Sequence, residues 1–208
     1  MLNRELKQYI QTEIIPHYDT FDAAHRTDHV RAVIARSLEY ARQYEADENM
    51  VYVIAAYHDM GLSVERERHH LISGELLMKD EELPRWFSQE QLETMRDAVE
   101  DHRASSNHTP RTLYGRLVAE ADRLIDPETI IRRTLQYGIA HYPELDCEGH
   151  FGRLCEHMQR KYAEGGYLQL WIPKSNNARQ LRLLRVLIQD RVRLRTLFNR
   201  LYTAELEK

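Results

Sequence analysis

Cysteine is close to absent from this chain. Cys147 and Cys155 are the whole supply, too few for a disulfide scaffold, and two free thiols suit a reducing compartment. Glycine and proline are sparse, eight and six in 208 residues, which favours long helices over a hairpin-rich sheet. No apolar run approaches the roughly 18 residues of a membrane-crossing helix. The opening MLNRELKQYIQ also lacks the apolar core of a signal peptide, so we expect a cytoplasmic protein with no membrane partner. An excess of one charge is missing too. The formal net charge is -4 and the pI is near 6.3, so nothing global calls for nucleic acid.

What remains is ordinary for a globular chain, 42% hydrophobic and 30% charged. The length suits one domain over 1–208 with at most a small appendage. Apolar spacing predicts helices over 2–15, about 25–44, a third capped by Asp47, and one around HHLISGELLMKDEEL. Pro16 and the stretch HYDTFDAA are expected to break the first. Ser88 with Gln91 is a capping-box pair, and Thr109-Pro110 reads as the start of the helix LYGRLVAEADRLI. Further helices are expected over about 128–140, near 147–163, and as one long element over about 176–205. With no convincing strand, the fold class is all-α.

Eleven histidines are the unusual count, and several fall where a solvated residue should not. The run VYVIAAYHDMGL, Val51 to Leu62, ends an apolar helix in His58-Asp59, with Gly61 as a stop. His29 lies one turn before Val33 and one after His25. His102 continues the stripe Leu92, Met95, Val99, and Asp122 follows Val118 by a turn. One inward histidine is commonly a hydrogen-bonded core residue. Several inward His and Asp residues in one small helical domain point to a shared cation, because buried charge must be paired or bound to metal. Imidazoles with carboxylates suit Mn, Fe, Zn, Co or Ni better than Mg, which prefers oxygen. The sequence does not choose the metal, or whether one or two ions are held.

The order His29, His58-Asp59, Asp122, in the contexts HVRAV, AAYHDMGL and AEADRL, resembles the HD-domain metal-dependent phosphohydrolase superfamily over roughly 22–139. The resemblance implies a single all-α domain over 1–208, its core at about 22–139 around a metal and 140–208 a helical extension packed on it. It also implies hydrolysis of a phosphate monoester or diester, often of a nucleotide, by metal-activated water. It implies His29, His58, Asp59 and Asp122 on one ion. Two-metal members add two histidines. HHLISGELL offers His69 when aligned on Ser73-Gly74 and His70 when aligned on Gly74 alone; we take His69. VEDHRAS offers His102. Asp59 would then bridge the ions, and Asp59 and His102 are the expected catalytic residues.

One departure matters: many relatives carry Lys after the HDxG turn, and this chain has Leu62. The cation for a small phosphorylated substrate must come from elsewhere, with Arg66, Arg68, Arg103 and Arg123 as candidates. His25, His70, Glu100 or Asp101 would orient a ligand or water. The segment SVERERHH is a candidate lid, and Trp86-Phe87 and Trp171-Ile172-Pro173 read as core or lid anchors. The same ligand set also suits a di-iron oxygenase, and a nucleotide sensor without turnover is a third reading. Seven arginines from Arg179 to Arg200 alternate with apolar residues. A nucleic-acid face is one reading, but with negative overall charge we take leucines packed inward and arginine stems along the surface; a homodimer contact is another use.

Overall fold

The run MVYVIAAY has no polar side, and a helix apolar all round belongs in an interior. The computed structural model describes residues 1–21, 25–103 and 108–207. In it, every residue from Met50 to Tyr57 of α3 (Glu48–Tyr57) is buried. The helix starts where expected, with the Asp47 carboxylate accepting the Asn49 amide at 2.8 Å. Four helices pack on it: α2 (Thr27–Gln43), α4 (His69–Lys79), α5 (Gln89–Glu100) and α6 (Leu113–Asp122). Val33, Leu77, Met95 and Val118 are among the fully buried side chains they bring.

The first helix differs from expectation. α1 (Arg4–Tyr9) does not stop at Pro16; the chain keeps coiling through a π turn, Ile10–Ile14, and a 3-10 segment, Ile15–Thr20. Proline is tolerated there because it sits in the first turn of its segment, where its missing N–H costs nothing. The capping box at Ser88 and Gln91 forms in both directions. The cap expected at Thr109 does not form, and α6 starts after Thr112, whose hydroxyl accepts the Gly115 amide at 3.1 Å. A tertiary bond decides the matter: the Arg111 amide donates to Asp101 Oδ2 at 2.6 Å, which holds that stretch extended. Residues 104–107 of the same expected loop, and 22–24 of the expected break after α1, lie outside the described residues.

The chain divides into two compact units, Met1–Arg123 and Leu124–Lys208. The second contains α7 (Pro127–His141), α8 (Cys147–Tyr162), α9 (Asn176–Gln189) and α10 (Arg191–Leu206). Ile130, Ile131 and Leu135 of α7, counted with the first core in the sequence reading, belong to this unit's own apolar cluster with Phe151, Leu154, Leu184 and Phe198. The expected single long helix is two. Asp190 leaves helical geometry at φ -88°, ψ 84°, and its carboxylate caps α10 through the Arg193 amide at 3.0 Å. Among the described residues all regular structure is helical, and no helix is long and apolar enough to cross a membrane.

Candidate metal centre

Each helix packed on α3 delivers one donor to its C-terminal end. His58 caps α3 and Asp59 follows it; His29 is the third residue of α2, His69 the first of α4, and Asp122 the last of α6. His102 lies two residues beyond α5. The close approach of α4 depends on Gly61: a Cβ there would lie 2.2 Å from the His69 carbonyl oxygen. The Gly61 amide donates to Ser73 Oγ at 2.8 Å, which ties the turn to α4.

The donors form two groups that share Asp59. On one side His58 Nε2 lies 3.2 Å from Asp59 Oδ2 and 3.6 Å from Asp122 Oδ1. His29 Nε2 lies 3.1 Å from Asp122 Oδ1, 3.6 Å from Asp59 Oδ2 and 3.3 Å from His58 Nε2. On the other, Asp59 Oδ1 lies 3.4 Å from both His69 Nε2 and His102 Nε2, which are 3.2 Å apart. Donors bonded to one ion at about 2.1 Å stand about 3.0 to 3.4 Å apart at octahedral to tetrahedral angles. Six of the eight separations fall within that spacing, and the two at 3.6 Å lie just beyond it.

The imidazole tautomers fit as well. His58 Nδ1 faces the Ala55 carbonyl at 2.8 Å, His69 Nδ1 that of Arg66 at 2.7 Å, and His102 Nδ1 that of Val99 at 2.6 Å. A carbonyl only accepts, so each Nδ1 carries the proton, and in the neutral ring each Nε2 offers a bare lone pair. Lone pairs of His69 and His102 then face each other beside a carboxylate, which is repulsive unless a cation lies between them. Three helices, α3, α5 and α6, end here, and their C-terminal carbonyls add negative potential, while α2 and α4 begin here and offset part of it.

Residues 26–125 match the HD domain family. This chain carries an HD domain. No curated protein and no solved structure matches the chain significantly. The family consists mostly of metal-dependent hydrolases, and the His/Asp cluster of this HD domain is compatible with a divalent metal.

Charge in the HD domain follows the same geometry. Burial alone would lower the His58 pKa, but the carboxylates of Asp59 and Asp122 outweigh it and hold the value well above normal. His29 is raised in the same way, by Asp122 and Asp59 against burial. Burial would raise both carboxyls, yet the surrounding imidazoles hold Asp59 and Asp122 well below the usual range. His69 is lowered, by burial first and then by His102. The carboxylates thus demand positive charge at the shared point, as an imidazolium or as a bound cation.

The remaining candidates divide. His25 stands edge-on to His29, ring centroids 5.7 Å apart, beside the cluster. His70 stands edge-on to His69 at 5.6 Å between ring centroids and belongs to neither donor group. Its Nδ1 is buried without a hydrogen bond, and burial, then the neighbouring cationic groups, lower its pKa to about 4. Glu100 and Asp101 face Arg111, at 2.7 Å and 3.0 Å. Arg103 donates to the Glu67 carbonyl at 2.6 Å, and buried Arg123 to that of Ala119 at 2.7 Å. Arg68 only precedes α4 as its cap residue. Arg66 lines a cleft of about 280 Å³ with Thr20, Phe21, Leu62 and Ser63.

Two residues outside the sequence reading hold the main chain beside the donors. Tyr18 Oη donates to the Ala56 carbonyl at 2.8 Å and accepts the Asp59 amide at 3.3 Å. Arg36 Nε donates at 2.7 Å to the carbonyl of Ala121, the neighbour of Asp122. Neither leaves a trace in spacing, because each bonds to backbone that any residue could supply.

Proposed function

We propose that this HD domain hydrolyses a phosphate monoester or diester of a nucleotide or another small phosphorylated molecule, using one or two divalent ions. The observation that carries the reading is the sharing of Asp59 between two groups of imidazoles. His29, His58, Asp59 and Asp122 would hold one ion, and Asp59, His69 and His102 the other. Bound there, divalent ions lower the pKa of water and withdraw charge from phosphoryl oxygens.

The protein's own contribution is placement. His58, His102 and Asp59 are almost closed off, with side chains 0%, 3% and 5% exposed, whereas His29, Asp122 and His69 are 22%, 23% and 14% exposed. Substrate phosphate therefore enters on the side of those three. Asp59 and His102 are the proposed catalytic residues, held in register from the buried side. The Nδ1 bonds keep each Nε2 turned inward, so the donors need not reorganise when charge develops. Arg66, in its cleft, is the phosphate-binding candidate; Arg103 and Arg123 donate to main-chain carbonyls, and their service to substrate would require exchanging those bonds.

The test is turnover of generic phosphate esters and nucleotides by metal-free protein supplemented with Mn, Co, Ni, Zn or Mg. The expected result is metal-dependent phosphate release that falls by at least about a thousandfold in Asp59→Ala. Unchanged turnover in that variant would refute the assignment. Activity requiring iron and dioxygen would move it to the oxygenase, and nucleotide binding without product at full metal occupancy to the sensor. A cytoplasmic location and a homodimer belong to the same proposal, checked by fractionation and by light scattering.

A further inference from the structure

We propose that Tyr18 is a positioning residue: its hydroxyl fixes the main chain of Asp59 so that the two carboxylate oxygens stay divided between the two imidazole groups. The inference rests on the metal-site reading above and adds a residue outside the donor set.

At the end of α3 the Asp59 amide has lost its ordinary acceptor. In a continuing helix it would donate to the carbonyl four residues back, Ala55, but the His58 ring takes that oxygen at 2.8 Å. Tyr18 supplies the replacement. Its Oη accepts from the Asp59 amide at 3.3 Å and donates to the Ala56 carbonyl at 2.8 Å. A single hydroxyl therefore satisfies main-chain groups on both sides of His58. Tyr18 is fully buried. Its ring faces that of His58 at 6.3 Å between centroids, and Phe21 flanks it at 5.0 Å.

Removing the hydroxyl leaves the Asp59 amide to the carbonyls of the preceding turn, Ala55, which the His58 ring already uses, and Ala56, which loses its own donor. Capture by Ala55 loosens the Nδ1 bond of His58, and capture by either oxygen swings Asp59 back toward helical geometry. Either movement disturbs the 3.4 Å distances from Asp59 Oδ1 to His69 and His102. The half of the site that depends on Oδ1 has fewer other donors, so it suffers more. Tyr57 is the natural control. It is another buried phenol, one residue from the doublet, but its hydroxyl donates to Asp80, away from Asp59.

The experiment compares the unaltered chain, Tyr18→Phe and Tyr57→Phe, loaded with Mn(II). Electron paramagnetic resonance reads whether two ions are spin-coupled, and calorimetric titration reads each affinity. Expected are a coupled pair in the unaltered chain, an uncoupled six-line spectrum in Tyr18→Phe with second-ion affinity at least tenfold weaker, and a coupled pair in Tyr57→Phe despite a lower Tm. A coupled spectrum in Tyr18→Phe with second-ion affinity within twofold of the unaltered chain overturns the inference. So does loss of coupling in Tyr57→Phe to the same degree, since core loosening would then suffice. Should Tyr18→Phe not fold, 3-fluorotyrosine at position 18 keeps the ring and hydroxyl but weakens the oxygen as an acceptor. Weakened second-ion binding supports the role, and unchanged binding overturns it. Absence of a coupled pair in the unaltered chain refutes the two-ion reading itself, and is seen before any variant is made.

Discussion

A single methyl group is enough to challenge the turn after the doublet. The atoms a Cβ at Gly61 would strike are main chain, the His69 carbonyl oxygen at 2.2 Å and its carbon at 2.9 Å, so no side chain can swing aside. Gly61→Ala is expected to push α4 away from α3, costing about 2 kcal/mol or more and weakening binding at the His69 side. Urea denaturation with a parallel metal titration measures both, and unchanged values would refute the close-approach argument. The neighbouring histidines give a second contrast. His69→Ala is expected to remove one bound ion per chain, while His70→Ala keeps the full complement, as read by elemental analysis after dialysis. Equal losses in both would place His70 among the ligands.

Some of this was legible in the sequence and some was not. His58-Asp59 announces itself because it terminates a run with no polar side, and His102 because it extends the stripe Leu92, Met95, Val99. His69 and His70 could not be separated by spacing alone, since either can open a helix. The difference lies in which ring reaches a carbonyl and which does not. Tyr18 was illegible for a related reason, its partners being amide and carbonyl groups common to every residue.

At the scale of elements, caps behaved as local chemistry predicts when no distant group competed. Ser88 and Gln91 formed their box, while Thr109 lost to Thr112 because Asp101 holds Arg111. The break at Asp190 was hidden because the apolar spacing of LLRVLIQDRVRL runs through it without a stumble. A prediction belongs here. The end of α6 is tied to α2 by Arg36 on the Ala121 carbonyl at 2.7 Å. Arg36→Met keeps most of the apolar stem and removes the donor. It is expected to weaken the ion nearest Asp122 by about tenfold, roughly 1.4 kcal/mol, and to leave the His69 side within twofold. Equal weakening of both ions in calorimetry would mean that the tie holds the helix bundle rather than the ligand.

For the whole molecule, pH and metal should act in opposite directions. In the metal-free chain the raised pKa values of His29 and His58 mean that the folded form holds those protons more tightly than the unfolded form. That stabilisation is complete below the unfolded value of about 6.5 and is lost as pH rises through the raised folded values. Tm with chelator present is therefore expected to fall as pH rises above about 6.5. With saturating Mn(II) the order reverses, because ions need unprotonated Nε2 and are displaced on acidification. Thermal scans across pH with and without metal test the pair of slopes, and parallel slopes would contradict a metal site at these histidines.

The burial of α3 over its whole circumference has a further consequence, for adaptation. A rod clasped on every side cannot slide or tilt to suit a new ligand without prising open the interior, so the His58-Asp59 end is a fixed datum. Changes of substrate preference must then be written on the periphery: the stretch 62–68 and the walls near Phe21. Mutational libraries confined to those positions should yield altered specificity with intact folding, whereas libraries across Met50 to Tyr57 should return mostly unfolded protein.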